Sequence, residues 1–298
     1  MQGLLLAVLA YSIWGFFPLF FSYLNHVSPV EVLSHRIIWS LVATLFIGLL
    51  LGKGKSLRAA LTNKTTMLWL AASSILIAIN WLVYIWAVGQ HRVLEASLGY
   101  FIMPLVSLLM GRILLKESLH PLQAVAGVFA FLAVLWELWS FGSLPWVGVV
   151  LSFAFAFYGL IRKVHPIDGI NGLTIEALWL MPIVMAWFGW QSFGNNSLLA
   201  FGSDAQTTIL LISSGFLTAL PLVLFAMATR RINLSIVGFI MYINPTIQFL
   251  IGVYVLNEHF PKERLITFIF VWLAMILFMM GMWKTQHKKT KTTAKVSS

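Results

Sequence analysis

The sequence predicts an all-α membrane protein with ten transmembrane helices, arranged as two inverted five-helix repeats with both termini cytoplasmic. Three observations lead there. First, 60% of the 298 residues are hydrophobic and only 9% are charged, with mean hydropathy +0.92; a soluble domain needs far more charge to cover its surface. Second, apolar stretches of 18 or more residues, bounded by charges or turn residues, recur along the chain. Each is long enough to cross about 30 Å of hydrocarbon. Third, residues 89–123 and 230–264 read as two copies of one segment shifted by 141 positions: Pro104, Leu109, Gly111, Leu115 and Glu117 recur as Pro245, Leu250, Gly252, Leu256 and Glu258.

Taken in order, the expected spans run at 3–24, 29–51, 66–88, 93–115, 121–139, 145–162, 170–191, 206–229, 233–256 and 261–283. The fifth is the weakest, short and ending at Glu137, and the sixth opens on Pro145, a favoured first helical residue. With ten spans, fifteen Lys and Arg fall on one side of the membrane and three on the other. The first set includes Lys53, Lys55, Arg58, Lys64, Arg112, Lys116, Arg162, Lys163, Arg230, Arg231 and the tail lysines; the second is Arg92, Lys262 and Arg264. The basic side is the cytoplasmic one, which puts both termini inside. An odd number of spans per half inverts the second half, so that Glu117 falls inside and Glu258 outside. A fainter echo relates Trp14-Gly15 and Glu31 to Tyr158-Gly159 and Glu176. The units are then 1–140, the first repeat; 141–283, the second; and 284–298, a disordered basic cytoplasmic tail whose lysines can touch anionic lipid. Inverted repeats place a substrate site near the midplane, where the halves meet.

Composition narrows the chemistry further. Met1-Gln2-Gly3 runs straight into the first apolar stretch, so no cleavable signal is expected. Cysteine is absent, which removes thiolate nucleophiles and thiolate metal sites. The net charge of +10 is distributed as an orientation signal and does not read as a nucleic-acid surface. Asp168 and Asp204 lie in loops on opposite sides, so the paired aspartates that hold magnesium on a diphosphate are missing, and no phosphate-binding loop is present.

Pro18, Pro104, Pro182, Pro221 and Pro245 sit inside spans, where each removes a backbone donor and kinks its helix. Bundle curvature explains any one of them. Pro104 and Pro245 are equivalent in the repeat and mid-bilayer, and are expected to mark a cavity or hinge. Glu31 and His35 are one turn apart in the second span, with Trp39 a turn deeper, while Arg36 points elsewhere. These read either as an internal ion-pair network or as gating residues, with Arg36 available to an anionic group. Glu95 opens the fourth span, where a helix N-terminus favours a carboxylate in any case. Glu176, with no partner in its own helix, is a candidate proton acceptor. Asn80, Trp81, Tyr84, Tyr100, Tyr242 and Asn244 are polar or polar-tipped residues near the broken helices. As a convergent set they suit an amphipathic ligand; singly, each suits packing.

Several ordered strings resemble one family: Tyr11-Ser-Ile-Trp-Gly-Phe-Phe-Pro18, Glu31-Val-Leu-Ser-His-Arg-Ile-Ile-Trp-Ser40, Asn80-Trp-Leu-Val-Tyr-Ile-Trp-Ala87, Leu94-Glu-Ala-Ser-Leu-Gly-Tyr-Phe101, Gly142-Ser-Leu-Pro-Trp146 and Phe157-Tyr-Gly-Leu-Ile-Arg-Lys163. Together they resemble the RarD family, an EamA-type branch of the drug/metabolite transporter superfamily, over nearly the whole chain up to the tail. The resemblance implies an inner-membrane permease of a bacterial cell with a central cavity. The family pattern leads one to expect Asn before the first repeat's proline, where this chain has Met103, and Gln and a small residue where it has Met241 and Asn244.

The expected function is a secondary transporter that moves a small amphipathic metabolite or drug by alternating access around a midplane cavity. Its partners are that substrate and the lipid bilayer, with no nucleic acid, no cofactor and no metal, as a monomer or homodimer. The alternatives are a non-transporting membrane sensor or assembly partner, and, least supported, an intramembrane enzyme.

Overall fold

Residues 2–89, 93–141, 146–165, 167–192, 199–255 and 262–296 are described by the computed structural model, and the regular structure among them is helical throughout. The helices are α1 (Gln2–Gly15), α2 (Phe17–Ser22), α3 (Pro29–Leu50), α4 (Gly54–Thr62), α5 (Lys64–Gly89), α6 (Val93–Ile113), α7 (Pro121–Phe141), α8 (Trp146–Val164), α9 (Gly169–Trp190), α10 (Ala205–Thr229), α11 (Leu234–Ile240), α12 (Ile243–Tyr254) and α13 (Lys262–Val296). Arg92, Pro145, Leu256 and Glu258 lie outside the described residues, as does the side chain of Glu95.

Eight helical stretches among the described residues are long and apolar enough to cross a membrane: α1 with α2, then α3, α5, α7, α8, α9, α10 and α13. Two shorter apolar stretches, Gly99–Ile113 and Leu234–Gln248, occupy the places of the fourth and ninth expected spans. The outward faces stay apolar, as lipid requires: Leu49, Leu68, Ile183 and Trp139 are among the most exposed residues of the chain.

Two spans are broken, and the cause is local. Pro245 has no N–H to give the Met241 carbonyl four residues back, and that carbonyl takes the Asn244 N–H at 2.9 Å instead. The chain therefore tightens at Met241 and Tyr242, separating α11 from α12. Pro18 similarly follows the step at Phe16 between α1 and α2. The repeat partner of Pro245 behaves differently: Pro104 stays inside a continuous α6. At the far end, α13 continues past Trp283 to Val296, where the sequence had been expected to leave the helix.

Helix starts carry their own signals. Asn63 accepts the Thr66 N–H at 3.0 Å ahead of α5, and Asp204 accepts the Thr207 N–H at 2.8 Å ahead of α10. These two caps are themselves separated by 141 residues. After α6, Lys116 adopts φ 53°, which lets the Glu117 N–H close back on the Gly111 carbonyl at 2.9 Å. That turn aims the Glu117 carboxylate at the start of α11, where it accepts from Leu234 N, Ser235 N and Ser235 Oγ at 2.7–3.1 Å.

Packing follows a paired pattern. α7 lies against α13, α6 against α11, and α3 against α9. The α6–α8 contact has a counterpart in α12–α1, α5–α8 in α10–α1, and α10–α3 in α5–α9. The short α4 between α3 and α5, which hydropathy did not single out, is held beneath α9. Lys53 pairs with Asp168, and the Asn171 amide donates to Ser56 Oγ at 2.7 Å.

Burial pushes the Asp168 carboxyl up, but the Lys53 ammonium and the Asn171 and Ile170 N–H groups outweigh it and hold the group below the usual carboxylate range. A depressed carboxylate stabilises the fold above its unfolded pKa, and that stability is lost as pH falls through the folded value. Asp168→Asn should therefore lower the midpoint of thermal unfolding in detergent at pH 7, with the difference shrinking once the pH falls below about 4. A difference that does not change with pH would contradict this origin.

Candidate substrate cavity

The cavity lies between the two halves of the chain, is partly open to the outside, and has a volume of about 70 Å³. Its walls come from the later parts of α1 and α5 and the early parts of α3, α6 and α8, so it occupies the half of the bundle away from the N-terminus. α1 and α2 contribute Tyr11, Trp14 and Phe17, and α5 contributes Asn80, Trp81 and Tyr84. Tyr100 and Met103 come from α6, and Leu151 and Phe155 from α8. The broken α11–α12 supplies Met241, Asn244 and Gln248.

The break positions the polar groups. Because the chain tightens before Pro245, Asn244 faces inward with only 2% exposure, and its Oδ1 accepts the Gln248 amide at 2.7 Å. Tyr100 is hydrogen-bonded to Tyr84 and to Gln248, which joins α5, α6 and α12 across the cavity. The Tyr84 and Tyr100 rings meet edge to face at 6.4 Å. Asn80 donates its amide to the Leu151 carbonyl at 2.9 Å, tying α5 to α8 and leaving its own carbonyl oxygen free of that bond.

Arg36 is the charged member of the wall. Its Nε donates to the Thr218 hydroxyl of α10 at 2.8 Å, and its guanidinium carbon lies 4.8 Å from the Trp81 ring centre and 5.1 Å from that of Phe21. A cation at this depth costs about 2.5–3.5 kcal/mol to insert, and ring contacts of this kind return part of it.

Below the cavity the aromatic side chains close ranks. Tyr11, Trp14, Phe155, Tyr158 and Phe225 have ring centres 5.0–6.2 Å apart, forming a floor across α1, α8 and α10. Beneath it lies Glu176, 1% exposed, which accepts from Ser73 Oγ, from Tyr158 Oη at 3.3 Å and from Arg162 Nη1 at 3.5 Å. Glu176 thus has a cationic partner from α8. The Arg162 guanidinium fits because residue 172 is glycine; a methyl group there would land on it. Still lower, Lys163 donates to the Thr229 and Ile232 carbonyls at 3.1 and 2.7 Å and comes within 3.9 Å of Glu117.

The other expected gating residues sit at the opposite rim. Glu31 accepts the Phe201 N–H at 2.9 Å, and the His35 ring stacks on Phe201 at 4.5 Å. Both His35 ring nitrogens and the Trp39 indole nitrogen are buried without a hydrogen-bond partner. Tyr242 lies away from the cavity: fully buried, it donates to the Phe101 carbonyl at 3.2 Å within the α6–α13 packing. Pro104 abuts the α11 crossing, where its carbonyl lies 3.3 Å from the place a Cβ on Gly238 would take. The sequence reading missed Gln248, and it counted Arg162 only as an orientation charge. A small residue one turn before a carboxylate, Gly172 and Glu176, was the available signal that a long side chain enters there.

Comparison with known proteins adds a lineage. Residues 1–139 match the EamA-like transporter family. Protein RarD of Escherichia coli (strain K12) is 38% identical over 291 residues, covering 97% of this chain and 98% of that protein. The uncharacterized transporter YojE of Bacillus subtilis (strain 168) is 40% identical over 293 residues, covering 96% and 97%. The chloramphenicol-sensitive protein RarD of Pseudomonas aeruginosa is 31% identical and covers 93% of both chains. One solved crystal structure superposes with a TM-score of 0.71 over 94% of this chain and 98% of the other at 13% identity, which shows a common fold.

Removing one partner of a buried pair costs about 3–5 kcal/mol. Glu176→Gln, which leaves the Arg162 charge unpaired, and Gly172→Ala, which displaces that charge, should each lower the unfolding midpoint in detergent. Their combination should cost less than the sum, because both disrupt one contact. Additive losses would mean that Gly172 does not act through Arg162.

Proposed function

Since the chain belongs to the RarD family of EamA-like transporters, we propose that it is an inner-membrane secondary transporter that moves a small amphipathic molecule by alternating access around this cavity. The observation that carries the reading is the cavity itself: polar and aromatic, enclosed by apolar helices, and walled by residues from both halves of the chain. In this reading the two shorter apolar stretches complete ten spans, in two inverted sets of five. The paired packing of α7 with α13, α6 with α11 and α3 with α9 supports that symmetry, as do the matching caps at Asn63 and Asp204. The sequence repeat at Pro104 and Pro245 supports it too.

The basic loops set the direction. With the termini cytoplasmic, the cavity belongs to the outer half of the bundle, and the aromatic floor with the Glu176–Arg162 network closes the inner half. Opening inward then requires Glu176 and Arg162 to part and α8 to move against α9, while the rim at Glu31, His35 and Phe201 closes over the substrate. Broken α11–α12 and proline-bearing α6 are the elements that can absorb the bend. The substrate gradient or protons supply the drive.

Two experiments test this. Purified protein in liposomes should catalyse counterflow of at least one compound from a broad metabolite panel, with saturation and trans-stimulation; no counterflow from demonstrably folded protein overturns the transporter reading. The chain contains no cysteine, so Ala10→Cys on the buried face of α1 can report on the inner path. A membrane-impermeant thiol reagent applied to inside-out vesicles should modify it slowly in the parent and several-fold faster with Glu176→Gln. Equal rates would remove the network from the inner closure.

A further inference from the structure

Among the described residues lining the cavity, Arg36 is the one ionised at neutral pH, and no aspartate or glutamate accompanies it. It is 4% exposed and lines the cavity, and among the described residues its hydrogen bond is made through Nε. Nε is committed to Thr218, and the Trp81 and Phe21 rings engage the guanidinium. Those contacts hold the group in place, but among the described residues no carboxylate pairs with it. A guanidinium carries five N–H donors in one plane, and two parallel ones match a carboxylate.

The second half of the chain carries a buried charge at the same distance from its own helix start, and there the charge is answered. Arg36 stands seven residues after Pro29, the first residue of α3, and Glu176 seven after Gly169, the first of α9. Glu176 meets Arg162 and Ser73, whereas Arg36 meets Phe21 and Thr218. One half holds a closed ion pair and the other a cation beside an aromatic ring and an open cavity.

We infer that Arg36 makes this cavity a site for the carboxylate of a small organic acid with a flat, apolar body. The inference rests on the transporter reading and narrows its substrate. Trp14, Trp81 and Phe155 provide ring faces and edges for such a body, and Met103 and Met241 provide deformable apolar contact. The free carbonyl oxygen of Asn80 accepts a hydroxyl or amine at the far end of the ligand and repels a second carboxylate, so one anionic group is admitted. A purely cationic ligand finds no counter-charge.

Benzoate and its neutral isostere benzamide isolate the charge. In isothermal titration of the purified native protein in detergent, benzoate should bind roughly tenfold or more tightly than benzamide, as expected for a buried charge-assisted contact. Arg36→Met should abolish that preference, weakening benzoate binding far more than benzamide binding, and Arg36→Lys should keep part of it. Equal affinities in the native protein, no saturable benzoate binding, or a preference that survives in Arg36→Met would each overturn the inference. The native comparison stands even where a variant fails to fold. Because binding is read without transport, benzoate bound by a protein silent in counterflow would sink the transporter reading and leave the carboxylate site in place.

Discussion

In hydrocarbon no water is available to satisfy a polar group, so each one buried in this bundle must find its partner within the chain or face a cavity. The architecture is organised around that demand. Glu117 is spent on the first N–H groups of α11, Glu176 on Arg162, Ser73 and Tyr158, and Lys163 on the carbonyls that end α10. These links join separate helices, and together they hold the end of the bundle that carries the N-terminus. Where the demand is relaxed, the molecule has space: the guanidinium edge of Arg36 and the amides near it border the cavity. His35 and Trp39, which keep buried nitrogens without partners, mark the opposite rim.

Proline sets where that space lies. A missing N–H at Pro245 breaks the ninth apolar stretch and turns Asn244 and Gln248 inward. The matching Pro104 leaves α6 continuous, yet its carbonyl packs against the α11 crossing at Gly238. Identical residues at equivalent places in the repeat thus have different local outcomes, because the preceding residues and the facing helix differ. Gly238 and Gly172 act in the same way, leaving volume for a neighbour; at Gly172 the neighbour is the Arg162 guanidinium.

The two halves also differ in how they answer a buried charge. Arg36 lies beside the Phe21 ring, whereas Glu176 pairs with Arg162. A ligand shifts a conformational equilibrium only by its differential affinity for the two states. An anion on Arg36 would give the first half what Arg162 already gives the second, so that occupancy of the cavity and closure above it become linked.

Hydropathy made the helical class and the membrane setting readable from the chain, because lipid imposes its constraints on composition and length, which are local properties; the family was readable only by the resemblance of the ordered strings between Tyr11 and Lys163. Asn80, Trp81, Tyr84, Tyr100 and Asn244 could be singled out for the same reason: a polar or polar-tipped residue in an apolar span is conspicuous. Tertiary structure alone decided which of them face one space. It placed Tyr242 in packing against the Phe101 carbonyl, gave Glu176 a cation from another helix, and brought Gln248 beside Asn244. It also set the amphipathic α4 beneath α9. Those outcomes depend on the rotation of each helix about its own axis and on the partner it meets, and neither is encoded in any single span.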